Sequence, residues 1–164
     1  MIQYKAIWDE VRAGFRLPLK SIHGYDHWQR VEGDAIKIAR AEDAIIDVVK
    51  LFAIFHDSCR LDDNYDPDHG RRAATYAGEM RGRLFTLDDY AFELLTYALA
   101  VHADGYTSKD PTIGACWDAD RLDLWRVGIT PDSSLFSTLT GRRLLQVRSK
   151  DPVWAQCLQS SRWP

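Results

Sequence analysis

The chain has 164 residues, 46% of them apolar and 27% charged, and a formal net charge of −3. That is enough for one domain with a single sizeable core, and it excludes a disordered chain and a generally basic nucleic-acid binder. No apolar run reaches the length of a membrane span, and the N-terminal MIQYKAIWDEVR lacks the basic and apolar regions of a signal peptide. A cytoplasmic protein is therefore expected, with neither a membrane nor a nucleic-acid polymer as partner.

Hydrophobic spacing predicts helices nearly throughout. The first runs over about 2–15, and Gly14, Pro18 and Gly24 punctuate the loop after it. Asp26, with Gln29 three residues later, reads as the cap of a second helix over about 27–42. Its apolar stripe is His27, Val31, Ala35 and Ile38. A third helix over about 43–58 aligns Ile45, Val49, Phe52 and His56. The polar segment 61–68 reads as a surface loop. A fourth helix, about 68–83, turns His69, Ala73 and Met80 inward. A fifth, about 87–102 with Thr86 as its cap, carries Phe92, Leu95, Leu99 and His102. A sixth, about 113–126, carries Asp120 and Leu124, and a last helix over about 133–148 precedes a tail holding Trp154 and Trp163.

No convincing strand pair interrupts this pattern. The expected fold is all-α: one compact bundle of about six to seven helices over 1–164. Its motif-bearing core covers about 20–130, with a C-terminal helix and tail over 131–164. The tail can pack on its own chain or on a second copy, so a homodimer is one expectation. Cys59, Cys116 and Cys157 form no CxxC pair and read as small buried apolar residues. Trp28, Trp117 and Trp125 read as core packing.

A histidine that continues an apolar helical stripe points into the core. One such residue is usually satisfied by a backbone carbonyl or a carboxylate. Here the pattern recurs at His27, His56 and His102, with His69 at a helix start and Asp57 and Asp120 beside them. Burying two carboxylates without cations costs several kcal/mol each, on the order of a whole domain's margin of stability. A divalent metal removes that cost and uses the imidazoles as well. Mixed imidazole and carboxylate ligands suit Mn, Fe, Co, Ni or Zn. Adjacent residues diverge on a regular helix, so His56 and Asp57 can share a site only where the last turn unwinds.

These residues resemble the HD-domain metal-dependent phosphohydrolase superfamily: His27 in HWQRV, the His56-Asp57 pair, and Asp120 in ADRLD look like its four metal ligands. The resemblance covers about residues 20–130 and implies an all-helical domain. His69 and His102 fall where some branches carry two further histidine ligands. The resemblance thus implies one or two divalent transition metals, with Asp57 bridging if there are two. It also implies hydrolysis of a phosphate ester on a small, possibly nucleotide, substrate by metal-activated water, to which Asp57 contributes. Arg121, Arg60 and then Arg30 are the candidates for holding the phosphate, ahead of Arg71 and Arg72. His23 and Asp104 are candidates for proton transfer at the mouth of the site. Asp123 is a candidate partner for a ligand histidine, whereas Asp118 is expected to cap or face solvent, and Asp62 and Asp63 to be solvated.

Two other functions fit the same residues. A di-iron oxygenase would show iron content and oxygen-dependent turnover. A non-catalytic metal-binding module would have no cleft beside the metals. The (p)ppGpp-hydrolase and cyclic-dinucleotide branches are disfavoured, because no Glu-Asp motif follows the His56-Asp57 pair and no Gly-Tyr-Pro is present.

Overall fold

A computed structural model describes residues 1–151. Among these, seven α-helices form the fold: α1 (Tyr4–Gly14), α2 (Tyr25–Ala41), α3 (Ile46–Phe55), α4 (His69–Met80), α5 (Asp89–Ala100), α6 (Pro111–Leu122) and α7 (Leu139–Arg148). Short 3₁₀ turns at Leu124–Val127 and Ser133–Leu135 join α6 to α7. Pairing between strands is limited to isolated bridges that tie Ile2 and Arg81 to Phe85. The expected all-α architecture is the one observed. The Trp-bearing tail and Cys157 lie outside the described residues.

The centre of the bundle is α3. Val48, Val49 and every residue from Leu51 to Phe55 are buried, so this helix is apolar nearly all round and not striped. The helices α2, α5 and α6 pack around it; α2 and α5 turn single faces inward, whereas α6 is buried along nearly its whole length. Trp28 and Trp117 are fully enclosed and Trp125 nearly so, as expected of core aromatics. No helix among the described residues is long and apolar enough to cross a membrane.

Several helix ends differ from expectation. The cap of α2 is Gly24, and Asp26 already lies inside the helix. The chain reaches α2 by folding tightly over Leu19: Tyr25 N–H donates to the Leu19 carbonyl at 2.9 Å, and a Cβ on Gly24 would stand 2.3 Å from that oxygen. Only glycine fits there. Gln29 donates to the Tyr25 hydroxyl and takes no part in a capping box. Helix α5 is capped by Asp88, whose carboxylate accepts from Ala91 N–H at 2.8 Å. Thr86 is occupied elsewhere, its N–H donating to the Met1 carbonyl.

Asp118 neither faces solvent nor caps its own helix. Fully buried, it accepts from Ser137 N–H, Thr138 N–H and the Thr138 hydroxyl, and so holds the start of α7 against α6. A Cβ on Gly141 would meet this carboxylate at 2.4 Å, so α7 can lie this close only with glycine there.

Candidate metal centre

The site forms where five helix ends converge. His27 sits in the first turn of α2, and His69 opens α4. His102 follows the end of α5, and Asp120 lies in the last turn of α6. The last α-helical residue of α3 is Phe55. His56 keeps helical geometry as the cap, and the next turn tightens, with Ser58 N–H donating to the Phe55 carbonyl. That tightening brings the adjacent His56 and Asp57 side chains into one site.

The six side chains form two groups that share Asp57. In the first, His27 Nε2 lies 3.0 Å from His56 Nε2, 3.4 Å from Asp57 Oδ2 and 3.3 Å from Asp120 Oδ1. His56 Nε2 is 3.6 Å from Asp57 Oδ2 and 3.7 Å from Asp120 Oδ1. In the second, His69 Nε2 and His102 Nε2 are 2.9 Å apart, and lie 3.3 and 3.7 Å from Asp57 Oδ1. One carboxylate thus offers a different oxygen to each histidine pair.

These separations fit metal coordination. Ligand bonds of about 2.1 Å set at 90–110° hold neighbouring ligand atoms about 3.0–3.4 Å apart. The tautomers fit as well. Nδ1 of His56 faces the Ala53 carbonyl at 3.0 Å, Nδ1 of His102 the Leu99 carbonyl at 2.8 Å, and Nδ1 of His69 the Asp66 carbonyl. Nδ1 of His27 faces Asp123 Oδ2 at 2.7 Å. Each ring therefore donates its Nδ1–H outward and turns the Nε2 lone pair to the centre, which fixes tautomer and orientation as in metal-bound histidines. Two lone pairs at 2.9–3.0 Å repel unless a cation lies between them.

A proton can serve in the metal-free protein. Burial and Arg126 oppose protonation of His27, but the carboxylates of Asp120, Asp123 and Asp57 outweigh them and raise its pKa to about 9. Burial drives that of its neighbour His56 down to about 3. In the other pair His102 is raised against its burial, chiefly by Asp57, while burial and His102 lower His69. Asp57 is held far below the usual carboxylate range: burial opposes this, but His56, His102, His27 and Arg60 prevail. The first histidine pair is thus arranged to carry one proton at neutral pH. Metal uptake must expel it, so affinity should rise with pH. For the first pair the expected slope is about tenfold per pH unit up to about 9, flattening above, with about one proton released per metal. Calorimetry of Mn²⁺ binding in buffers of different ionisation enthalpy measures this directly, and proton-independent binding would contradict it.

Behind His27 stands a fork. Arg30 Nε and Nη2 donate to the two Asp123 oxygens at 2.8 and 2.9 Å, and Asp123 in turn accepts from His27. Asp123 stays ionised although buried, because His27 and Arg30 both donate to it. Asp123→Asn should weaken the first metal by about 10–100-fold with little effect on the second, readable as metal affinity by competition with a chelating dye.

A cavity of about 280 Å³ opens beside the six residues, and Asp120 is about a fifth exposed towards solvent. His23 and Arg60 line it. Arg60 Nε donates to Asp57 Oδ1 at 2.9 Å. His23 Nδ1 pairs with Asp63 Oδ1 at 3.0 Å, so Asp63 is not simply a solvated loop charge. Burial lowers the His23 pKa, and at neutral pH it offers a neutral imidazole suited to taking a proton. Arg121 also lines the cavity, but its guanidinium is spent on the carbonyls of Leu135 at 2.6 Å and Tyr106 at 2.5 Å. It ties the rim loops together. Arg30 faces Asp123 and is not part of the cavity wall. Asp104 lies on an exposed loop between two lining residues, Ala103 and Gly105, without lining the cavity itself.

The sequence reading missed Gly70 altogether. A Cβ there would meet the Leu99 carbonyl at 2.4 Å and His102 Nδ1 at 3.2 Å. This glycine lets α4 approach α5 closely enough for His69 and His102 to meet. Arg126, which donates to the Ile22 carbonyl at 2.7 Å and lines the cavity, was also unforeseen.

No protein-family model and no curated relative matches the chain. Among solved structures, the fold is similar to the crystal structure of a predicted HD superfamily hydrolase from an uncultured Thermotogales bacterium. The TM-score is 0.71 at 23% identity, covering 96% of this chain and 90% of that one. The two share a fold, and the His/Asp cluster described above fits an HD-type metal site.

Proposed function

We propose that this HD-fold protein is a metal-dependent phosphohydrolase acting on a small phosphorylated substrate. The observation that carries the reading is the division of Asp57 between two histidine pairs beside an open cavity. His27, His56, Asp57 and Asp120 would hold one divalent cation, and Asp57, His69 and His102 a second. When bound, such a pair lowers the pKa of water towards about 7 and neutralises phosphoryl charge.

The chain's own residues supply the rest. Arg60 stands beside Asp57 on the cavity wall, where its guanidinium can take a phosphoryl oxygen. His23, oriented by Asp63, is in position to accept a proton during the reaction. Leu124, Pro131 and Leu135 form apolar wall that limits water to the space beside the ligands. A cavity of about 280 Å³ suits a phosphate group with a modest remainder, and the net acidic chain disfavours polymeric nucleic acid.

The test is hydrolysis of p-nitrophenyl phosphate and a panel of mononucleotides by protein stripped with chelator and reloaded with Mn²⁺, Fe²⁺ or Zn²⁺. Metal-restored phosphate release that persists without oxygen is expected. Reloaded protein that releases no phosphate from any of them, or turns over only with oxygen, would overturn the proposal.

A further inference from the structure

Among the described residues, the cavity beside the candidate metal ligands is not the only one. A second, of about 620 Å³, lies between the end of α1, the turn after α3 and the outer face of α4. The two cavities share Arg60 as a wall residue. The larger one is also lined by Arg16, Arg71 and Arg72, against which it sets only Asp68 and Glu79. Its volume is that of a small-molecule site.

The guanidiniums differ in how far they are committed. Arg72 is forked onto Asp66 and the Cys59 carbonyl. Arg71 faces Asp68 across 3.7 Å, with both side chains well exposed, which leaves its donors available. Arg16 makes no hydrogen bond or ion pair among the described residues. Tyr76 and Leu61 add apolar wall. Two available guanidiniums beside an aromatic surface match a phosphate group carried on an apolar or aromatic body.

We propose that this cavity is a second ligand site, taking a small phosphorylated molecule whose phosphate is held by Arg16 and Arg71 and draws on Arg60. The site is separate from the hydrolytic reading and does not depend on it. Because Asp57 and the ligand compete for Arg60, occupancy here is linked to the metal centre, and the linkage is reciprocal.

The experiment uses chelator-treated full-length protein, so that the metal centre cannot capture the probe, and 1-naphthyl phosphate as that probe. Saturable binding to one site is expected by fluorescence and calorimetry. The double variant Arg16→Glu with Arg71→Glu should weaken it by roughly tenfold or more. Thr75→Trp, on an exposed helix face, should fill the cavity and abolish binding with the circular dichroism unchanged. Asp57→Asn should release Arg60 and tighten binding several-fold. No saturable binding would overturn the proposal. So would binding indifferent to both cavity variants, or binding lost instead on Leu135→Trp in the smaller cavity. An unchanged affinity in Asp57→Asn would remove the link to the metal centre.

Discussion

Asp57→Ala is expected to strip the protein of both metals at once. Most single ligand losses weaken one site, because each histidine serves one pair. Asp57 is the exception: Oδ2 lies 3.4 Å from His27 Nε2, and Oδ1 lies 3.3 Å from His69 Nε2. Without it the first group keeps His27, His56 and Asp120, and the second keeps only two imidazoles. Protein purified after saturation with Mn²⁺ and passed through a desalting column should carry up to two metals per chain in the wild type and almost none in the variant. Hydrolysis should fall on the order of a thousandfold or more. His102→Ala offers the contrast, since it should cost the second metal and spare the first. An Asp57→Ala protein that still held one metal at wild-type affinity would show that the carboxylate does not bridge.

Gly70→Ala is expected to have the second largest effect, although glycine carries no ligand. The added methyl group would stand 2.4 Å from the Leu99 carbonyl oxygen and 3.0 Å from that of Ala100. Backbone atoms cannot rotate out of the way, so α4 must back off from α5. Such overpacking costs about 1–3 kcal/mol. The displacement falls on the hydrogen bond from His102 Nδ1–H to the Leu99 carbonyl and on the 2.9 Å approach of His69 to His102. A lowered melting temperature should therefore accompany loss of the second metal, while the first remains near wild-type affinity. Retention of both metals with unchanged stability would mean that the helices yield more easily than their packing suggests.

The sequence made some of this legible and hid the rest. Helical spacing carried His27, His56 and His102 to the interior, where the structure buries all three. Asp123 could be named as a partner of a ligand because it lies one turn beyond Asp120, and it is indeed bonded to His27. What spacing could not reveal were contacts between elements distant in sequence. Gly70 matters only because α5 passes beside it. Sequence ranked Arg121 ahead of Arg60 and Arg30, yet Arg30 is locked to Asp123 and Arg121 ties two rim carbonyls, whereas Arg60 lines the cavity with its Nε on Asp57. Helix α3 looked striped and proved buried on most sides from Val48 onward, since a stripe describes one neighbour and α3 has several. Thr86 was the expected cap of α5, but the helix starts two residues later and Asp88 caps it through Ala91 N–H.

The Arg30–Asp123–His27 chain carries a consequence for how this protein can vary. The Arg30 side chain is 44% exposed, while Asp123 and His27 are almost completely enclosed. A residue on the outer skin of α2 therefore acts on the electron-donating power of a buried ligand through a single intervening carboxylate. Exchanges at position 30 will pass for neutral surface drift by every criterion of packing. They should nevertheless change the charge borne by Asp123 and with it the donor strength of His27 towards any cation held there. A selection for an altered pH optimum or metal preference should return this position early, although nobody choosing residues by looking into the cavity would nominate it.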